Sequence, residues 1–307
     1  MTDDQGPHWI HILLKGEEKH DRDVYVEELE RSSLSTIVIP PLEFKYKNIE
    51  ELNKLFIRLI DSNKRLGIII TSPRVVEAVA RAVSLMNEDL HLKLNYLLDS
   101  DLIFPIGSKT AEEWRKKTSL GCNHNAARTG DGLGLVDFIR GFCDRTLQEE
   151  TILIYPRGNL ANRRIEDELR RVKNLHVETI EIYETSVRPN LADMVTTELK
   201  NVAKSTPRVM NVNFVCFSPS GVYGLRRHFD DIIEGCKQSD MEFFFSSIGA
   251  TTKVALIESK FRVWSTACKP SPRSLVSSLL GALNWSGGHK GVRISSGKVI
   301  PTDGSLS

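Results

Sequence analysis

The run Phe214-Val215-Cys216-Phe217-Ser218-Pro219 is apolar until it ends in Ser-Pro, and Ile68-Ile69-Ile70-Thr71-Ser72-Pro73 has the same form. Each run precedes a segment with helical periodicity. A second apolar run then follows, ending in Ile-Gly, at Ile106-Gly107 in one copy and at Ile248-Gly249 in the other. Short apolar runs that alternate with helical segments are typical of parallel strands covered on both faces. The repeat therefore predicts an α/β fold with two doubly wound parallel-sheet domains.

A third repeated element sets the order of the two domains. It is an apolar strand that leads into a helix and another strand, and it begins at Ile12 in one copy and at Ile152 in the other. The outer copy places this element first, whereas the inner copy places it last. We therefore expect the chain to start one domain, to build the second domain as an insertion, and to return to complete the first.

The two crossings between the domains are expected to be extended strands. Pro40 and Pro41 exclude a helix, and the five residues that follow them alternate with a period of two. Running in opposite directions, the crossings would pair as a two-stranded antiparallel β ribbon, which would act as a hinge with a cleft beside it. The expected bounds are residues 1–39 and 188–307 for domain 1, 47–179 for domain 2, and 40–46 and 180–187 for the linker strands.

Composition narrows the class of protein. Lys and Arg number 41 against 40 Asp and Glu, so the net charge of +1 gives no global field for nucleic acid or an anionic membrane. No apolar stretch approaches the roughly 18 residues that span a bilayer, and from the acidic start we expect no leader. We expect a reduced, cytoplasmic monomer without nucleic-acid or membrane partners. The Gly- and Ser-rich tail from Gly287 onward is expected to be frayed.

The sequence lacks the usual motifs for a bound cofactor or metal. It has no GxxxxGK[ST] phosphate loop, and Gly130-Asp131-Gly132-Leu133-Gly134 has neither the preceding strand nor the spacing of a dinucleotide site. The five cysteines show no CxxC spacing and the histidines show no HExxH. We expect no cofactor and no metal, and we interpret His11 and His228 as structural or surface residues.

The Ser-Pro and Ile-Gly turns are the candidate binding sites, because they lie where strands end and helices begin. Helix N-termini present free N–H groups and a partial positive charge that suit carboxylate or phosphate. The alternative is that the Ser and Thr residues merely cap helices. Their recurrence in both domains favours a ligand with many anionic groups. The polar residues of these turns are Ser72, Thr110, Ser218, Thr251 and Thr252, and the nearby basic residues are Lys15, Arg74, Lys109, Arg157 and Lys253.

Several fragments together resemble the uroporphyrinogen-III synthase family. Each fragment is short, but their order and spacing are specific, and they extend through nearly the whole chain. They include Leu13-Leu14-Lys15, Thr71-Ser72-Pro73-Arg74, Pro156 with Gly158-Asn159-Leu160, Tyr183 with Thr185, Phe217-Ser218-Pro219-Ser220-Gly221, and Ile248-Gly249 with Thr251-Thr252.

The resemblance implies a substrate and a reaction. The implied substrate is hydroxymethylbilane, a linear tetrapyrrole with eight carboxylates. It would close without a cofactor to uroporphyrinogen III, losing water and inverting ring D through azafulvene and spiro intermediates. A transient handover from the preceding enzyme of the pathway is an open expectation that the sequence does not decide. The resemblance implies a catalytic role for Tyr183. It implies substrate binding by Ser72, Thr110, Ser218, Ser220, Thr251 and Thr252. Further candidates for substrate binding are Lys15, Arg74, Gly107, Gly158 and Gly249.

Two other classes remain as alternatives. A non-catalytic bilobal protein that binds a small ligand would have the same two α/β domains and hinge. A nucleotide-sugar transferase would also have two such domains, but it would need a nucleotide donor, and no phosphate-loop pattern supports one.

Overall fold

The computed structural model describes residues 8–16, 23–62, 64–146, 150–205, 209–284, 292–295 and 298–301. The chain divides into two compact units. Unit 1 comprises residues 1–43 and 186–307, and unit 2 comprises residues 44–185.

The described residues form twelve strands and eleven α-helices, numbered in chain order. The strands are β1 (His8–Leu14), β2 (Thr36–Val38), β3 (Leu42–Tyr46), β4 (Arg65–Ile70), β5 (Leu98–Pro105), β6 (Thr151–Gly158), β7 (Leu175–Val187), β8 (Met210–Cys216), β9 (Met241–Ser247), β10 (Val263–Thr266), β11 (Val292–Ser295) and β12 (Lys298–Pro301). The helices are α1 (Val24–Arg31), α2 (Ile49–Asp61), α3 (Pro73–Val83), α4 (Glu88–Leu97), α5 (Ser108–Thr118), α6 (Gly132–Thr146), α7 (Arg163–Leu169), α8 (Leu191–Ser205), α9 (Pro219–Cys236), α10 (Ala250–Glu258) and α11 (Pro272–Asn284).

The sheet of unit 1 has parallel strands at its centre. Its order is β12-β11-β9-β8-β1-β2, with β10 also paired to β9. Strands β1, β2, β8, β9 and β10 pair in parallel. Alternate residues of the central strands enter two different cores. Ile12 and Phe214 pack into one core, whereas Leu13 and Val215 pack into the other, on the opposite face.

The sheet of unit 2 is built in the same way, in the order β3-β7-β6-β4-β5. Strands β4, β5, β6 and β7 pair in parallel. Ile68 and Ile154 pack into one core, and Ile69 and Leu153 pack into the other. Both sheets are therefore covered on two faces, and the predicted doubly wound α/β class is confirmed.

The linker strands pair as the sequence predicts. Strand β3 lies beside β7 in the sheet. The Lys47 N–H donates to the Ile182 carbonyl at 3.0 Å, and the Arg188 N–H donates to the Pro41 carbonyl at 2.9 Å. Partner numbers fall along β7 as they rise along β3, so the ribbon is antiparallel. The return strand is longer than its apolar run indicates, because β7 continues past Ile182 to Val187.

The expectation that the tail from Gly287 onward is frayed is wrong for the tail residues that the structure describes. Strands β11 and β12 pair with each other, and β11 pairs antiparallel with β9. Backbone pairing to a sheet edge needs no apolar run, so the Gly- and Ser-rich composition gave no sign of it. Residues 287–291, 296–297 and 302–307 of the same tail lie outside the described residues, as do residues 1–7 at the start of the chain.

A row of buried polar side chains crosses one face of the unit 1 sheet. The Asn213 Nδ2 lies 3.0 Å from the His11 Nδ1, the Ser246 hydroxyl donates to the Asn213 Oδ1 at 2.9 Å, and Ser265 bonds Ser246 at 3.0 Å. Because the amide donates to Nδ1, the neutral ring carries its proton on Nε2. That atom is buried and has no hydrogen-bond partner among the described residues. The expectation that His11 is structural agrees with this position, and burial lowers the pKa of His11 to about 4.

We predict that His11 makes the fold weaker in mild acid. The pKa of His11 is 6.5 in the unfolded chain and about 4 in the folded protein. Between these two pH values the unfolded state therefore binds more protons than the folded state. The free energy of unfolding should then decrease as the pH falls through this window, by roughly 2–4 kcal/mol at its lower end. The variant His11→Gln cannot be protonated and should show a flatter profile. Urea unfolding at pH 7, 5.5 and 4.5 would test this, and parallel profiles for the two proteins would contradict it.

Candidate functional site

In unit 2, two predicted binding turns lie side by side at one edge of the sheet. Ile70 at the end of β4 pairs with Pro105 at the end of β5, and the Ile106 N–H donates to the Ile70 carbonyl at 2.9 Å. The chain then enters α3 after Ser72 and α5 after Gly107. Parallel pairing therefore places both helix N-termini at the same edge.

Ser72 occupies the N-cap position of α3, but its hydroxyl forms no capping hydrogen bond. The Oγ atom is buried and has no hydrogen-bond partner among the described residues. A buried hydroxyl without a partner costs free energy, so Ser72 does not stabilise α3 as a capping side chain would. The interpretation of Ser72 as a simple cap is therefore wrong, since its hydroxyl serves no N–H of its own helix.

Gly107, rather than Thr110, is the N-cap residue of α5. Its φ of +82° lies in the left-handed region, and no atom lies within 4 Å of the position that a Cβ would take. Thr110 is the third residue of the helix and is 4% exposed. The predicted capping alternative for Thr110 is therefore wrong. The first N–H groups of α5 have no side-chain cap.

Arg74 lies in the first turn of α3, and its guanidinium stacks on the Phe44 ring. The guanidinium carbon is 3.4 Å from the ring centroid. Such stacking fixes the plane of the guanidinium while its edge keeps its N–H donors. No local pattern in the sequence indicates this contact, because Phe44 lies on a linker strand and Arg74 lies on a helix some way further along the chain.

Gly158 and Tyr183 form the second part of the unit 2 edge. They are register partners where β6 and β7 meet at a bulge. A Cβ atom added to Gly158 would lie 2.5 Å from the Tyr183 Cε2 and 2.9 Å from its hydroxyl oxygen. The phenol ring therefore lies directly over the glycine. Among the described residues, none forms a hydrogen bond with the Tyr183 hydroxyl.

The unit 1 edge repeats this arrangement. Leu14, Cys216 and Ser247 end their strands level with one another, because β1 pairs with β8 and β8 pairs with β9. The Ile248 N–H donates to the Cys216 carbonyl at 3.0 Å, as Ile106 does to Ile70 in unit 2. Lys15 follows the first of these strands, and helices α9 and α10 follow the other two.

Lys15 is engaged within its own unit. Its ammonium lies 2.5 Å from the Asp23 carboxylate, and the Lys15 side chain is 10% exposed. It also lies 5.2 Å from the Tyr25 ring centroid and 5.6 Å from that of Phe217. Asp23 in turn accepts the Tyr25 N–H at 3.0 Å and caps α1. Through its ion pair with the capping residue Asp23, Lys15 therefore helps to fix the start of α1.

Ser218 caps α9, which distinguishes it from Ser72. Its hydroxyl accepts the Gly221 N–H at 3.1 Å. Ser220 lies in the first turn of the same helix and is partly buried. The two Ser-Pro turns therefore share a backbone shape but differ in what their hydroxyls do.

Gly249 is the N-cap residue of α10, and its backbone is extended, with φ of 176° and ψ of −179°. No atom lies within 4 Å of a Cβ at this position. Thr251 is exposed and Thr252 is 4% exposed, and both are helical residues beyond the cap. The capping alternative is therefore wrong for both threonines, and the first N–H groups of α10 have no side-chain cap.

No helix in the described part is long and apolar enough to cross a membrane. No cluster of three or more His, Cys, Asp or Glu side chains suited to a metal ion occurs in that part.

The fold and the two edges define a doubly wound α/β protein of two units whose strand ends present helix N-termini. The family profile described as uroporphyrinogen-III synthase HemD matches residues 23–277. That match covers most of the chain. The chain belongs to the uroporphyrinogen-III synthase HemD family.

The chain is also similar to several solved structures, all at low sequence identity. A mutant uroporphyrinogen III synthase from the extremely thermophilic bacterium Thermus thermophilus has a TM-score of 0.49 and 13% identity, covering 89% of this chain and 98% of that chain. Another Thermus thermophilus structure of that enzyme has a TM-score of 0.37 and 15% identity, covering 90% and 100%. A periplasmic sugar-transport component from Hahella chejuensis has a TM-score of 0.23 and 11% identity, covering 91% and 93%. No match was found among curated protein sequences.

We predict that the two N-cap glycines differ in their tolerance of a side chain. Gly107→Ala should destabilise the protein by about 1 kcal/mol, because a Cβ disfavours its positive φ. Gly249→Ala should change the free energy of unfolding by less than about 0.5 kcal/mol, because its extended backbone suits any residue and space is open. Urea unfolding of both variants would measure the difference. Equal losses of stability would contradict this assignment of the two turns.

Proposed function

We propose that this protein is a uroporphyrinogen-III synthase, a lyase that closes hydroxymethylbilane to uroporphyrinogen III. The observation that carries the proposal is the family match over residues 23–277. The geometry of the Tyr183 edge supports it, because a phenol with no hydrogen-bond partner among the described residues lies at the same sheet edge as two helix N-termini. We infer that the substrate is a small molecule and that no cofactor takes part.

The uncapped helix N-termini suit the acetate and propionate groups of the bilane. Helices α3, α5 and α10 have no side-chain cap on their first N–H groups. Each such terminus favours a nearby anion by roughly 0.3–1 kcal/mol, and by more where water is excluded. Ser72 would add a hydroxyl, and Arg74 would add a guanidinium already oriented by Phe44. Binding through backbone N–H groups orients a flexible chain without requiring a set of charged side chains.

Tyr183 is the proposed group that assists the loss of water. Its phenol donates a hydrogen bond to the hydroxyl that leaves ring A. As the C–O bond breaks, the departing oxygen takes up a proton and leaves as water, and the pyrrole nitrogen of ring A loses its proton to give the azafulvene. The azafulvene that remains is attacked by the substituted carbon of ring D, which gives the spiro intermediate. Fragmentation and reclosure then leave ring D inverted. Most of the rate enhancement would come from positioning, with a smaller share from this acid assistance.

We predict that the purified protein converts freshly made hydroxymethylbilane to the type III isomer. The product would be oxidised to uroporphyrin and its isomers separated. Activity should be unchanged by a chelator, because the sequence has no metal-ligand spacing. Production of only the type I isomer would contradict the proposal. Tight binding of the bilane without turnover would instead favour the non-catalytic binding protein.

We predict that Tyr183→Phe lowers turnover by about 10²- to 10⁴-fold without abolishing it, since general acid catalysis contributes a rate acceleration of that size. The change removes the hydroxyl and keeps the ring over Gly158, so the free energy of unfolding should be nearly unchanged. Tyr96→Phe is the matched control, because Tyr96 is 88% exposed on α4 of the same unit. Turnover equal to that of the control would remove Tyr183 from the mechanism.

A further inference from the structure

Asn159 forms an unusual set of bonds directly after β6. Its backbone N–H donates to the Tyr183 carbonyl at 3.2 Å. Its side-chain Nδ2 donates to the Thr185 carbonyl at 3.1 Å, and its Oδ1 accepts the Thr185 N–H at 2.9 Å. The side-chain amide therefore satisfies both backbone groups of Thr185, as a peptide unit of a neighbouring strand would do.

The bulge explains why β7 needs this support. Arg157 pairs with Glu181, but the next residue, Gly158, pairs with Tyr183, so one residue of β7 is extra. Beyond Gly158 the chain turns, since the Ala161 N–H donates to the Gly158 carbonyl at 3.1 Å. The backbone of β6 therefore cannot continue the ladder, although β7 extends to Val187. The Asn159 side chain replaces the missing rung of that ladder.

We propose that Asn159 is a positioning residue that fixes the Tyr183 hydroxyl for catalysis. Its backbone N–H holds the carbonyl of Tyr183, and its side-chain amide holds both the N–H and the carbonyl of Thr185. The ring is supported from below by Gly158. The hydroxyl has no hydrogen-bond partner among the described residues, so its position depends on the backbone of β7 and on the packing of the ring. This inference rests on the proposed role of Tyr183.

Position 159 requires an amide, because its side chain accepts a hydrogen bond from the Thr185 N–H and donates another to the Thr185 carbonyl. Aspartate at position 159 would still accept the Thr185 N–H, but its second oxygen would face the Thr185 carbonyl. Only the protonated acid can donate there, and the carboxyl of Asp has a pKa near 3.9 when unperturbed. Asn159→Asp should thus behave like Asn159→Ala at neutral pH and recover part of its turnover, relative to the parent, as the pH falls.

The test compares four variants with the parent chain for type III product: Asn159→Ala, Tyr183→Phe, the double variant, and Asn53→Ala. Asn53 is the matched control, because its Nδ2 also bonds a backbone carbonyl of unit 2, that of Ala82, at 2.9 Å. Asn159→Ala should lower kcat by about 10- to 100-fold, the effect of a misplacement near 1 Å. In the double variant the Asn159 change should cost less than about twofold beyond Tyr183→Phe.

A second measurement does not depend on turnover. In protein labelled with 13C at the tyrosine ring, the Tyr183 signal is identified by its loss in Tyr183→Phe. Asn159→Ala should shift or broaden that signal, whereas Asn53→Ala should leave it unchanged. This experiment reports the position of the ring even where a variant is slow.

The outcomes separate the two proposals. If Tyr183→Phe is slow but the effects of the two changes multiply, or if the ring signal is unmoved in Asn159→Ala, positioning by Asn159 is overturned and the role of Tyr183 remains. If Tyr183→Phe is as fast as the parent, the catalytic role of Tyr183 fails, and positioning for catalysis fails with it. A coupled loss of kcat together with a moved ring signal supports both.

Discussion

Parallel strand pairing is the constraint that places every candidate group of this chain. Parallel strands cannot be joined by tight hairpins, so each strand is followed by a crossover that returns over a face of the sheet. The strand ends are level, with Leu14, Cys216 and Ser247 aligned in unit 1 and Ile70 and Pro105 aligned in unit 2. The turns that follow therefore gather at one edge of each sheet. Helix N-termini collect there for the same reason, and an anionic ligand has a suitable place to bind.

The helices that begin at these two edges differ in whether a side chain caps their first N–H groups. Ser218 uses its hydroxyl within its own helix, whereas the Ser72 hydroxyl is buried without a partner among the described residues. Gly107 and Gly249 provide no side chain at all. A cap on α9 gives local stability, whereas an uncapped start leaves donors for a ligand. The turns of unit 2, which also hold Tyr183, therefore retain more unused hydrogen-bonding capacity than the Ser-Pro turn of unit 1.

The position of Tyr183 depends on an irregularity in the ladder. A regular pairing of β6 with β7 would have continued past Arg157, but the bulge sets Tyr183 opposite Gly158, where the missing Cβ leaves room for the ring. Asn159 then supports the strand from the side with its amide. The phenol ring lies over Gly158, and its hydroxyl has no hydrogen-bond partner among the described residues. Such an arrangement suits a group that works mainly through its placement.

The sequence by itself determined the α/β class, the inserted order of the two units and the linker ribbon, because apolar periodicity and proline act locally. It also located the strand-end turns. The tertiary structure alone decided how the residues of those turns are used. Thr110 and Thr252 are buried helical residues rather than caps, and β7 extends to Val187 because Asn159 and β3 lie beside it. These outcomes depend on pairing between segments far apart in the chain, and hydrogen bonds of that kind leave no periodic signal in the residues that form them.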